Sequence, residues 1–123
     1  MRHIHLSFAL LFVALIGCSS ATTKVAEPVP ISGSLTGADG QPVSNVLLML
    51  QPTSSGFLVG CEVDKDGKFT GEAVPGSYAW FINRSAKATD ADAALAKVKE
   101  DLQRGSLDRR VTVGSGPLDI KLP

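Results

Sequence analysis

Residues 31–52 read ISGSLTGADGQPVSNVLLMLQP, and residues 64–78 read DKDGKFTGEAVPGSY. Short apolar runs of period two are cut here by Gly, Pro, Asp and Asn, which is the signature of strands joined by tight turns. Residues 31–35 form a first strand, and 38–42 a turn in which Gly40 supplies a positive φ. Residues 46–50 form a second strand, stopped by Pro52. Outward from this core, 58–63 is a third strand, and the tight turn 64–67 leads into a fourth at 68–70. A turn at 74–76 opens a fifth at 78–82, and strands at 111–113 and 118–122 flank the turn 114–117. Seven short strands with frequent turns predict a mainly β fold, a two-sheet sandwich.

One segment departs from period two. Residues 89–104, TDADAALAKVKEDLQR, carry helical periodicity and lie between the fifth and sixth strands. Thr89 is the expected N-cap, with Asp90 and Asp92 in the first turn. Ala91, Leu95, Val98 and Leu102 fall on one face. Lys97 with Asp101 and Glu100 with Arg104 are spaced to pair across one turn, and Gly105 is the expected C-cap.

The N-terminal 18 residues, MRHIHLSFALLFVALIGC, have a different character. Arg2 opens a short basic region, and residues 6–16 are apolar apart from Ser7. A membrane-spanning helix needs about 20 apolar residues, so this length matches a cleaved export signal. Leu15-Ile16-Gly17-Cys18 resembles the bacterial lipobox. That resemblance implies cleavage between Gly17 and Cys18, with diacylglycerol attached through the Cys18 sulfur and a further acyl chain on its amine. Ser19 follows, where an Asp would favour inner-membrane retention, so the expectation is the outer membrane. Residues 1–17 are then a signal peptide, 18–30 a tether and 31–123 the folded domain. The tether, CSSATTKVAEPVP, is small, polar and Pro-terminated. At about 3.3 Å per residue it reaches at most about 40 Å.

Charge and composition exclude several functions. The 12 basic and 12 acidic residues cancel, which argues against nucleic acid as a partner. Aromatics are 6% of the chain, too few for a base-stacking surface. Both histidines, His3 and His5, lie in the signal segment. The mature chain therefore has no His-based metal site and no Ser-His-Asp or Cys-His catalysis. No cofactor and no enzymatic activity are expected. Cys61 alternates with Val59 and Val63 and is read as a small core residue, with an intermolecular disulfide as the alternative.

The ordered pieces resemble the carboxypeptidase-regulatory-like domain, a transthyretin-like or immunoglobulin-like sandwich. The matching positions are 33–35 in the first strand, the turn 39–42, Pro52, the hairpin 64–69 and the turn 75–78. The resemblance covers about residues 31–83 and, more loosely, the last two strands. It implies a structural or interaction module rather than an enzyme. It also makes the second and fifth strands neighbours, so that Leu47, Met49 and Phe81 share one apolar outer patch. The helical stripe Leu95, Val98 and Leu102 is expected to dock on that patch. Tyr78 is expected to tie its hydroxyl to nearby backbone, as in related sandwiches.

Other constellations read as structure. Residues 64–67 resemble the start of a calcium loop, but the twelfth position is Pro75 where a bidentate Glu is required. Glu62, Asp64, Asp66 and Glu72 are read as solvated hairpin acids rather than a glycosidase pair. Asn45 and Asn83 lack the first-strand Lys that an isopeptide bond needs. Trp80 is assigned by parity to the core rather than to a sugar-binding platform, and Arg109-Arg110 to a solvated strand edge. The expected function is a lipid-anchored envelope lipoprotein, non-catalytic, held at the membrane through Cys18 and meeting an envelope protein. The alternatives are a module that binds envelope polysaccharide or a small ligand and, against the missing histidines, an enzyme.

Overall fold

The computed structural model describes residues 26–54 and 56–123. The signal segment, the lipobox and Cys18 lie outside the described residues. Strands β1 (Val29–Thr36), β2 (Val46–Pro52), β3 (Val59–Glu62), β4 (Lys68–Ala73), β5 (Gly76–Arg84), β6 (Arg110–Val113) and β7 (Leu118–Lys121) follow in order. Between β5 and β6 come a short helix, α1 (Ala91–Ala96), and a 3₁₀ turn (Glu100–Gln103). The strands form two sheets, ordered β4-β1-β7 and β3-β2-β5-β6. The fold is a seven-stranded β-sandwich.

Parity decides which residues meet. Register pairs Val46 with Arg84, Leu48 with Ile82 and Leu50 with Trp80 on the inner face of the larger sheet. Val46, Leu48, Leu50 and Ile82 are fully buried. Opposite them, Ile31 and Leu35 of β1, Phe69 of β4, and Leu118 and Ile120 of β7 complete one core. Each such side chain contributes about 1.5–3 kcal/mol on leaving water.

β1 starts at Val29, two residues inside the segment read as tether. Pro30 is tolerated because it lies outside the stretch of β1 that pairs with β7, so β1 has a single neighbour there, β4. Further on, β1 runs antiparallel to β4 and parallel to β7. The parallel pair passes so close at Gly33 that a Cβ there would lie 2.7 Å from Phe69 Cζ and 2.6 Å from the Leu118 carbonyl carbon.

The hairpin 64–67 is a turn closed by its own side chain. Asp64 Oδ1 accepts from the amides of Asp66 (2.8 Å) and Lys68 (2.9 Å), and Gly67 takes φ 74°. Tyr78 is buried, and its hydroxyl donates to the Val74 carbonyl at 2.5 Å, as expected of the residue after the Pro-Gly-Ser turn. Burial pushes the Tyr78 phenol above its ordinary pKa.

The expected helix over 89–104 is interrupted. α1 ends at Ala96, with Lys97 as its C-cap, and Lys99 adopts extended backbone (φ −58°, ψ 139°) before the 3₁₀ turn. Thr89 is not the N-cap; Asp90 is, without a side-chain capping bond. Gly105 follows Arg104, which is already extended, so no left-handed cap forms. Glu100 and Arg104 do pair, at 3.5 Å, but Lys97 and Asp101 do not pair among the described residues.

The broken segment packs beside β5. β6 pairs with β5 only as far as Ala79, so the flank of β5 from Trp80 onward has no strand beside it. The α1 and 3₁₀ segment packs on β5 there. Ala94, Val98 and Leu102 enter the core cluster, with Leu95 partly buried against it. Val98 and Leu102 are buried on either side of the extended residue Lys99.

Candidate functional site

Two surface features stand out. The first is the outer face of the larger sheet. Met49 pairs with Phe81 and Leu47 with Asn83, so Leu47, Met49 and Phe81 share that face, as strand parity requires. Across from Met49 stands Gly60. A Cβ there would touch Leu47 Cδ1 at 3.4 Å and Met49 Sδ at 3.5 Å, so both side chains lie over the bare glycine. All three apolar residues are half-buried and none belongs to the core cluster. The expected docking of Leu95, Val98 and Leu102 on them is therefore corrected: that stripe packs with the sandwich core instead. The open flank of β5 offers Val98 and Leu102 near-complete burial, at 7% and 2% exposure, which a flat outer face does not. The loop after the 3₁₀ turn approaches the face, where a Cβ on Gly105 would meet Phe81 Cδ1 at 3.8 Å. Phe57 and Leu58, just before β3, are 65% and 58% exposed.

The second feature is a cleft of about 470 Å³ between the β1–β2 loop and the broken helix. Val43, Val98, Leu102 and Leu122 supply its apolar lining, and Asp39, Asp90, Lys97 and Lys99 its charges. Internal bonds set the loop wall. Gly37 N–H donates to Gln41 O at 2.8 Å, Gly40 N–H to Gly37 O at 3.0 Å, and Gly40 takes φ 81°. Asp39 Oδ1 accepts from the Gln41 amide at 3.0 Å, and Asp90 Oδ2 accepts from Asn45 Nδ2 at 3.3 Å. Nearby, Arg84 Nε donates to Asp92 Oδ1 at 2.6 Å, and that hydrogen bond holds the Asp92 carboxyl below its ordinary pKa. Both groups are exposed, so the pair fastens α1 only weakly.

Two polar arrangements were not foreseen from the sequence. Glu62 is not a free hairpin acid. It accepts from Ser85 Oγ at 2.5 Å and from the Ala86 amide at 2.9 Å, while Ser85 Oγ accepts from the amides of Lys87 and Ala88. Arg109 is not a solvated edge residue. Its guanidinium lies 5.6 Å from the centre of the Trp80 ring and donates to the carbonyls of Asp101 and Arg104. Trp80, at 5% exposure, is a core residue and forms no platform. Cys61 is buried and has no disulfide partner among the described residues, and burial pushes its thiol above the ordinary value, so it is shielded from disulfide exchange. Among the described residues no three His, Cys, Asp or Glu side chains gather as a metal site. No described helix is long and apolar enough to cross a membrane. Gly17 and Cys18, the expected cleavage and lipidation positions, lie outside the described residues.

No family model, curated protein or solved structure matches the chain.

Proposed function

We propose that this chain is a non-catalytic lipoprotein of the bacterial cell envelope, anchored through lipidated Cys18 at the outer membrane. Its carboxypeptidase-regulatory-like sandwich serves as a protein-interaction module. The anchor rests on the basic start, the short apolar run and the Leu15-Ile16-Gly17-Cys18 sequence. The absence of histidine after residue 5 supports the non-catalytic reading.

One observation carries the interaction role. Leu47, Met49 and Phe81 form an apolar outer face, and the segment expected to cover it is spent in the core. An apolar surface bordered by polar groups marks a protein contact, and Glu62, Asn83 and Gln51 border this one. The partner is an envelope protein presenting an apolar surface. A photoreactive residue at Met49 should give a discrete protein adduct in intact envelopes, and one at Asp119 on the opposite sheet should not. Equal adduct patterns from the two positions, or none from Met49, would refute the proposal.

A further inference from the structure

We infer that the cleft beside the broken helix binds a small anionic amphiphile, with Lys97 and Lys99 holding its head and the apolar lining its tail. This site is separate from the outer sheet face and does not depend on the interaction role.

The break in the helix is what builds it. On a continuous α-helix, residues 97 and 99 would point about 200° apart, and one of them would leave the cleft. The extended backbone at Lys99 places both lysines on the same wall. That wall has cationic charge to offer. Neither lysine has an ion-pair partner among the described residues. The acids opposite keep their charge but are hydrogen-bonded elsewhere, Asp39 to the Gln41 amide and Asp90 to Asn45, and neither pairs with Lys97 or Lys99 among the described residues. A ligand that enters is therefore met by two uncommitted cations above an apolar floor.

Shape and rigidity agree with a small ligand. The cleft volume, about 470 Å³, lies within the range of small-molecule sites. Its loop wall is held by backbone bonds within the Gly37–Gln41 turn, so little ordering cost falls on binding. Lysine acts as a point charge and does not require planar, bidentate geometry. The recognised chemistry is thus one anionic head on an apolar body, taken up as a free molecule.

The test uses the full lipidated chain in nanodiscs of zwitterionic phospholipid, with Val and Leu methyl groups labelled for NMR. Decanoate is the probe and decanol its uncharged control. Decanoate should shift the methyls of Val43, Val98, Leu102 and Leu122 saturably, leaving Val59 unmoved. Lys97→Gln with Lys99→Gln should weaken binding about tenfold, as expected for two exposed charges, with an unchanged ligand-free spectrum. Decanol should bind at least as weakly as decanoate binds the double variant. The inference fails if decanoate gives no saturable shift, if decanol matches it, or if the double variant binds as well. It also fails if these methyls shift when anionic phospholipid alone replaces the zwitterionic lipid, since the cleft would then read a membrane surface.

Discussion

Gly33→Ala adds a single methyl group where two constrained neighbours leave it no room. The new Cβ would lie 2.7 Å from Phe69 Cζ and 2.6 Å from the Leu118 carbonyl carbon. Ordinary Cβ contacts need 3.4 Å or more, and the Leu118 carbonyl oxygen lies closer still than its carbon, so β1 and β7 must part by more than about 1 Å. Neither neighbour yields cheaply. One is backbone in the parallel ladder that joins Gly33–Thr36 to Leu118–Lys121. The other is a ring at 2% exposure. Overpacking costs about 1–3 kcal/mol where side chains can adjust. Here the strain also loosens Leu118 and Ile120, each worth about 1.5–3 kcal/mol when buried. A loss of at least about 3 kcal/mol is expected, a large part of the roughly 5–15 kcal/mol that holds a domain. Gly114→Ala makes the same chemical change with nothing within 4 Å and should stay within about 0.5 kcal/mol of wild type. Trp80 is the only tryptophan, so urea unfolding of both variants can be followed by its fluorescence. If Gly33→Ala lies within about 1 kcal/mol of wild type, the close β1–β7 approach is wrong.

Three further outcomes follow from the core. Trp80→Ala should cost about 3–5 kcal/mol in urea unfolding followed by circular dichroism, because the ring is buried and Arg109 stacks on it. Val98→Asp should destabilise the whole sandwich cooperatively rather than release one helix, since Val98 is a core residue; amide exchange that quickens only over residues 90–104 would contradict this. Burial raises the Cys61 thiol above 9.0 and the Tyr78 phenol above 10.0. The unfolded chain releases those protons first, so their stabilising effect is complete below about pH 9 and is lost as pH climbs through the folded values. The urea midpoint should therefore fall as pH rises above about 9, and Cys61→Val should delay the onset of that fall.

The strands were legible because two independent signals agreed. Parity placed Leu48, Leu50, Trp80 and Ile82 inward, and Gly67, Pro52 and Pro75 marked where strands stop. The start of β1 was misplaced by two residues, because Pro30 reads as a tether end unless its one-sided pairing is known. The helix was half legible. Its stripe named Val98 and Leu102 as buried, but local spacing does not say which surface buries them. That depends on where β6 stops pairing with β5, a tertiary fact. The extended backbone at Lys99 has no sequence marker, since neither Gly nor Pro stands there. The cleft was illegible for a related reason. Its walls come from residues 37–44, 90–102 and 122–123, which only the folded topology brings together. The outer face was legible as a patch, although its expected cover was not the real one.

The envelope role requires an anchored mature chain, and intact mass spectrometry of the protein extracted from membranes tests that directly. The predicted species begins at Cys18, lacks residues 1–17 and carries diacylglycerol on its sulfur with an acyl chain on its amine. Cys18→Ser should remove that mass and the incorporation of labelled palmitate, and should leave the precursor uncleaved. A wild-type chain that begins at any other residue, or whose Cys18 is unmodified, would contradict the account.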